Sequence, residues 1–143
     1  MHHTVTEMLR TTPKGPFIPG DALPNCIDAC FDCAQTCGAC ADACVGEDMV
    51  KMLAKCIRLN LDCGNICEST GHLLSRQQQP DLELLRGAIE LCALACRKCA
   101  EECERHADKH EHCRICAAAC RNCMQACQQL LSVFDQTRPQ LQH

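Results

Sequence analysis

The chain predicts an all-α fold: an antiparallel up-down four-helix bundle with a cysteine-lined core and a short N-terminal arm or helix. Three observations carry that prediction. Proline and glycine are few, 6 and 7 in 143 residues, and four of the six prolines fall within residues 13–24. Ala, Leu, Glu, Gln, Arg and Lys, all good helix formers, fill the stretches between. The 18 cysteines recur at steps of three and four, the spacing of one helix face. The expected organisation is an N-terminal arm over residues 1–23, the Cys-rich bundle over 24–134 and a C-terminal tail over 135–143. Such a length buries one core.

The elements follow in order. Residues 4–12, TVTEMLRTT, form one or two helical turns. Pro13, Pro16, Pro19 and Pro24, with Gly15 and Gly20, then mark a loop or extended arm. The first long helix starts near Pro24, a residue suited to a first turn, and runs to about Val45. Gly46 stops it. The second helix runs from about Asp48 to Ser75, and RQQQP connects it onward. Pro80 fits the first turn of the third helix, which runs to about His106. Asp108 suits the N-cap of the fourth, which runs to about Phe134, leaving TRPQLQH as a frayed tail. Short connections force sequential helices to lie antiparallel.

The first helix carries Cys26, Cys30, Cys33, Cys37, Cys40 and Cys44, a heptad seam without a miss. The second carries Cys56, Cys63 and Cys67, with Asn60 at the seam position between. The third carries Cys92, Cys96, Cys99 and Cys103. The fourth carries Cys113, Cys116, Cys120, Cys123 and Cys127. Every thiol therefore lies on the inward stripe of its helix. Ordinary packing does not explain this, because each Leu→Cys exchange removes apolar volume from a core. Same-helix disulfides do not explain it either. Residues three or four apart on a helix hold their Cβ atoms about 5–6 Å apart, against the roughly 3.5–4.5 Å a disulfide needs.

Composition excludes other classes. Lys and Arg number 14 against 18 Asp and Glu, for a net charge of −4. No basic stripe exists to displace counterions, so no nucleic-acid partner is expected. No run of roughly 18 apolar residues occurs, so no membrane span is expected. The first twenty residues lack the apolar stretch of a secretory signal. The expected compartment is the reducing cytoplasm, where thiols stay thiols.

A soft thiolate tube selects Cu(I), zinc or iron–sulfur clusters. Zinc ribbons and ferredoxins place their CxxC pairs in loops that wrap one site. Here the cysteines stay on uninterrupted helix. Cu(I) is satisfied by two or three thiolates, and bridging thiolates would bring capacity to on the order of one ion per Cys. Zinc or general soft-metal sequestration is an alternative. A thiol redox protein is another, although an oxidoreductase needs one exposed, low-pKa thiol at a helix start, and no pair is singled out here.

The repeated CxxxCxxC series of CIDACFDCAQTCGACADAC, CALACRKCAEEC and CRICAAACRNCMQAC resembles the four-helix-bundle copper storage proteins, from Cys26 to Cys127. In lacking an export signal the chain resembles their cytosolic branch. The resemblance implies many Cu(I) ions held inside the bundle, a homotetramer, and storage and buffering without catalysis.

The two ends of the tube differ. Extending the stripes toward the end of helix one gives Met49, Met52, His106 and His110, candidate ancillary ligands around an access route. Core packing for the methionines and solvated helix ends for the histidines are the competing readings. The other end gathers Leu74, Leu82, Leu85, Ile89, Leu130, Leu131 and Phe134, with Phe17 and Ile18, as an apolar plug. Asn60 is either a hydrogen-bonded core residue that fixes register or an occasional oxygen ligand. His72, His112 and His143 fall off the stripes and are expected in solvent. Met1-His2-His3 offers a weak amino-terminal chelate. Further apolar stripes, Val50, Leu53, Ile57 and Leu61, then Leu84, Ala88, Leu91 and Ala95, either widen the core face or pack subunits.

Overall fold

The computed structural model describes residues 3–141, and no strand occurs among them. Helix α1 spans His3–Thr11. The bundle helices are α2, Ala22–Val45; α3, Ala54–Ser75; α4, Leu82–His106; and α5, Glu111–Leu141. They close a ring in which α2 packs on α3 and α5, and α4 packs on α3 and α5. Gly71 permits one close approach within it, since a Cβ there would stand 2.8 Å from the Phe31 ring.

Several boundaries differ from the sequence expectation, each for a local reason. Helix α2 begins at Ala22, which places Pro24 in the first turn, where its missing N–H costs nothing. The second helix opens as a 3-10 turn, Val50–Leu53, because the chain must reverse tightly after Gly46. Pro80 lies ahead of α4 rather than inside it, and Asp81 takes the cap, accepting from Leu84 N at 3.0 Å. Asp108 is not the N-cap of the last helix. The reversal closes on the end of α4, with Lys109 N and His110 N both donating to His106 O, so His110 directly precedes α5. The expected tail is helical as far as Leu141, since no glycine interrupts the chain after Cys127.

The plug end is built as expected, with additions. Leu74, Leu85, Ile89, Leu130, Phe134 and Ile18 are buried, joined by Leu9 of α1, Leu23 and Ile27. Leu82, Leu131 and Phe17 are half-buried at its margin. Phe17 meets Phe134 edge to face at 6.1 Å. The arm is fastened to the α3–α4 connector by two glutamines. Phe17 N donates to Gln77 Oε1 at 3.0 Å, and Gln77 Nε2 donates to Leu74 O at 2.7 Å. Gln78 Nε2 donates to Pro13 O at 2.9 Å. At the other end, Arg121 clamps Glu104 with two nitrogens, at 2.8 and 3.0 Å, tying α5 to α4.

Candidate metal centre

The seams of α2, α3, α4 and α5 place all 18 thiols inside the bundle. Cys40 and Cys63, each 1% exposed, are the least buried of them. All are free thiols. Sulfurs meet along and across helices: Cys67 and Cys96 at 3.5 Å, Cys37 and Cys120 at 3.6 Å, Cys56 and Cys103 at 3.7 Å, Cys33 and Cys37 at 3.7 Å.

These sulfurs form overlapping tetrads whose members all lie within 4.8 Å of one another. Cys33, Cys37, Cys63 and Cys120 make one; Cys33, Cys63, Cys67 and Cys96 make the next; Cys37, Cys99, Cys116 and Cys120 make a third. Cys33, Cys37, Cys63 and Cys120 therefore each belong to two of these three. A thiolate shared between neighbouring sites is a bridging thiolate, so the column suits a chain of ions better than isolated ones. Toward the plug, Cys30, Cys92, Cys123 and Cys127 form a further tetrad.

Thiol–thiol bonding splits the acidities. The hydrogen bond from Cys103 pushes the Cys56 thiol down, while Cys103 itself is pushed up by Cys116 and by Cys56 among others. Near the mouth, burial dominates. It pushes the Cys44 thiol up to about 11 and raises Cys113 in the same way. A thiol kept neutral by burial gives up its proton when a cation arrives, so metal binding releases protons here.

The mouth lies where α2 ends and α5 begins. Cys40, Cys44, Cys56 and Cys113 form its tetrad. His112, expected in solvent, instead belongs to it. Its Nδ1 lies 3.4 Å from Cys40 Sγ and 3.7 Å from Cys113 Sγ. Its Nε2 donates to Glu47 Oε2 at 2.8 Å. That bond assigns the proton to Nε2 and leaves Nδ1 as a lone pair aimed at the sulfurs. His110 Nδ1 shares the same carboxylate oxygen at 3.0 Å, and the two imidazoles stack at 5.5 Å. The bond from His112, with the charge of His110 behind it, holds the Glu47 carboxyl below its ordinary value.

Sequence reasoning missed His112 and Glu47. Seam spacing carries no signal for either, because their contact depends on the turn geometry at two helix ends. Of the predicted mouth residues, His110 is the most enclosed, its side chain 10% exposed. His106 is turned along α4 to Glu102, at 3.0 Å. Met49 is at the rim, 37% exposed. Met52, expected on the inward stripe, is 65% exposed, because the 3-10 turn rotates it outward and buries Leu53 in its place. Asn60 is wholly buried among the thiols of α3, α4 and α5. His72 is exposed and lies edge-on against Phe31. Met1, His2 and His143 lie outside the described residues, as does the side chain of His3.

The family model described as copper storage protein, Csp, matches residues 20–132 of this chain. Among solved structures, the copper storage protein Ccsp of Streptomyces lividans, loaded with 10 copper equivalents, is 48% identical. It superposes with a TM-score of 0.86, covering 90% of this chain and 98% of that one. Cu(I)-bound copper storage protein BsCsp3 is 32% identical with a TM-score of 0.68, covering 76% of this chain and 97% of that one. An uncharacterized cysteine-rich protein, YhjQ of Bacillus subtilis, is 36% identical over 89 residues, 62% of this chain and 77% of its own length.

Proposed function

The chain belongs to the copper storage protein family, and on that premise we propose that it stores and buffers many Cu(I) ions in the cytoplasm, on the thiolates of Cys26 to Cys127. The observation that carries this reading is tetrad overlap. Cys33, Cys37, Cys63 and Cys120 each belong to two neighbouring tetrads. Isolated zinc sites use four thiolates apiece and share none, whereas two- or three-coordinate Cu(I) is served by bridging sulfur. The cytoplasmic placement is supported by similarity to a cytosolic copper storage protein of Streptomyces lividans.

The ligands are the 18 cysteines, supplemented at the mouth by His112, His110 and Met49, with His106 and the outward Met52 as first contacts. The imidazole nitrogen at the mouth sulfurs supports this, as does the apolar closure of the other end. The protein acts by binding rather than by catalysis. It assembles as a homotetramer, a reading supported by the exposed side chains of Leu61, Leu84 and Leu91 on the outer faces of α3 and α4. Sedimentation analysis at micromolar protein tests that assembly, and a monomer would refute it.

Anaerobic titration with Cu(I), and separately with Zn(II), against competing chelators tests the storage reading. Cu(I) should bind near one equivalent per cysteine, with helicity by circular dichroism almost constant. Saturation at two or three ions, or a preference for zinc, would refute it.

A further inference from the structure

Overlap is one property of the sulfur tetrads. A second is that four of them have no thiol in common. Each is built on one pair of thiols four residues apart: Cys123 and Cys127, Cys63 and Cys67, Cys116 and Cys120, and Cys40 and Cys44. To each pair the tetrad adds one thiol from each of two other helices. Cys30 and Cys92 complete the first, Cys33 and Cys96 the second, Cys37 and Cys99 the third, and Cys56 and Cys113 the fourth. Together they use 16 of the 18 thiols and leave out Cys26 and Cys103. Donors from three helices surround a point on the bundle axis, as a tetrahedral site requires.

The spacing fits as well. A tetrahedral site with metal–sulfur bonds of about 2.3 Å spaces its sulfurs about 3.8 Å apart. In the tetrad nearest the plug, Cys30, Cys92 and Cys123 form a triangle with sides of 3.9, 4.0 and 4.0 Å. In the next, Cys63, Cys67 and Cys96 form one with sides of 3.8, 3.8 and 3.5 Å. In the third, Cys37 stands 3.7 Å from Cys116 and 3.6 Å from Cys120. In all four tetrads every sulfur lies within 4.8 Å of the other three. Side-chain torsions alone can close the remaining gaps.

We propose that these thiols have a second, divalent mode: four all-sulfur sites, each holding one tetrahedral soft divalent cation, Zn(II) or Cd(II). Each ion enters as four thiols release their protons to solvent, and its two charges leave the four thiolates only half neutralised. A buried anionic site is costly, whereas Cu(I) at one ion per thiolate leaves the column neutral. Copper therefore displaces the divalent ions, and the divalent mode operates when copper is scarce. The displacement rests on the copper storage reading; the four sites do not.

The test titrates the metal-free protein anaerobically with Cd(II), whose thiolate bonds absorb in the ultraviolet, and in parallel with Zn(II), counted by elemental analysis after gel filtration. Cadmium NMR reads the ligand set. The absorbance should rise linearly to four equivalents and stop, with every cadmium resonance in the range of four-sulfur coordination. Zn(II) should also stop at four. Excess Cu(I) should abolish the cadmium band. A double variant, Cys26→Ser with Cys103→Ser, removes the two thiols outside the sites. Shown by circular dichroism to be folded, it should still take four Cd(II), while its Cu(I) capacity falls by about two. Saturation above four, the mark of bridging thiolates, would overturn the proposal. So would saturation below four, or cadmium resonances from oxygen or nitrogen ligands. Loss of a cadmium ion in the double variant would overturn the assignment of the sites to these thiols; if that variant does not fold, the wild-type counts and resonances decide. A cadmium band that survives excess Cu(I) would overturn the storage reading and leave the four sites standing.

Discussion

His112 Nδ1 stands 3.4 Å from Cys40 Sγ, so a side chain from the first turn of α5 closes over the thiols in the last turns of α2. The imidazole is held there by Glu47, whose Oε2 accepts a hydrogen bond from Nε2 at 2.8 Å. A carboxylate behind a ligating histidine fixes the ring and raises its donor strength. The mouth therefore presents a nitrogen donor in front of Cys40, Cys44, Cys56 and Cys113.

Replacing His112 with alanine should weaken binding of the first Cu(I) equivalents by on the order of 10-fold or more and slow loading. Capacity should fall by no more than about one ion. Glu47→Gln keeps the ring but loses the carboxylate, and should give a smaller change in the same direction. Competition with a chromophoric chelator at low copper measures both. Wild-type behaviour in the His112 variant would remove this residue from the mouth.

Most of the fold was legible because one signal, the three-and-four spacing of cysteine, fixes both the helices and their inward faces. Cys26 to Cys44 could be oriented without any knowledge of neighbours. The mouth was legible only in part. His110 was placed by extending a stripe, but His112 lies one position from Cys113 and off the seam. Its contact with Cys40 exists because α5 begins at Glu111, which the turn after His106 decides through backbone bonds. Met52 failed for a related reason. Extending a stripe assumes 3.6 residues per turn, and a 3-10 turn breaks that phase.

The metal-free protein should lose stability as pH rises. In thiol pairs such as Cys56 and Cys103, bonding lowers one partner and raises the other. At Cys44 burial is the largest influence, which no thiol partner returns, and the thiol goes from 9.0 to about 11. Folded protein then binds more protons than unfolded protein across that window. The stability this thiol contributes is present below pH 9.0 and is lost as pH climbs toward 11. Urea denaturation at pH 8, 9 and 10.5 under reducing conditions reads the effect. Copper-loaded protein, whose thiols are already deprotonated, should show a much smaller loss. Stability that is flat or rising over this range in the metal-free protein would contradict the account.

At the closed end, Leu85→Ala and Leu130→Ala should each cost roughly 2–5 kcal/mol, since both side chains are buried against a plug that cannot easily collapse. Neither touches the mouth, so the rate of copper loading should stay at the wild-type value while the protein remains folded. Denaturant melts and stopped-flow loading separate the two quantities. Faster loading in these variants would mean that ions also pass through the plug.

Gln77 gives the last test, at the arm. It is 7% exposed, and its carboxamide serves two backbone groups at once, accepting from Phe17 N and donating to Leu74 O. Alanine at this position leaves both groups without that partner in a poorly hydrated place, a loss of about 1–3 kcal/mol. The loss should be felt first by the arm, which Gln78 alone would then fasten at Pro13 O. Hydrogen exchange at the Phe17 amide should quicken by at least about tenfold, while amides in the middle of α2 change far less. Loading through the mouth should be unaffected, because the bundle helices keep their seams. Unchanged exchange at Phe17 would show that the edge contact with Phe134 and the burial of Ile18 hold the arm without the glutamine.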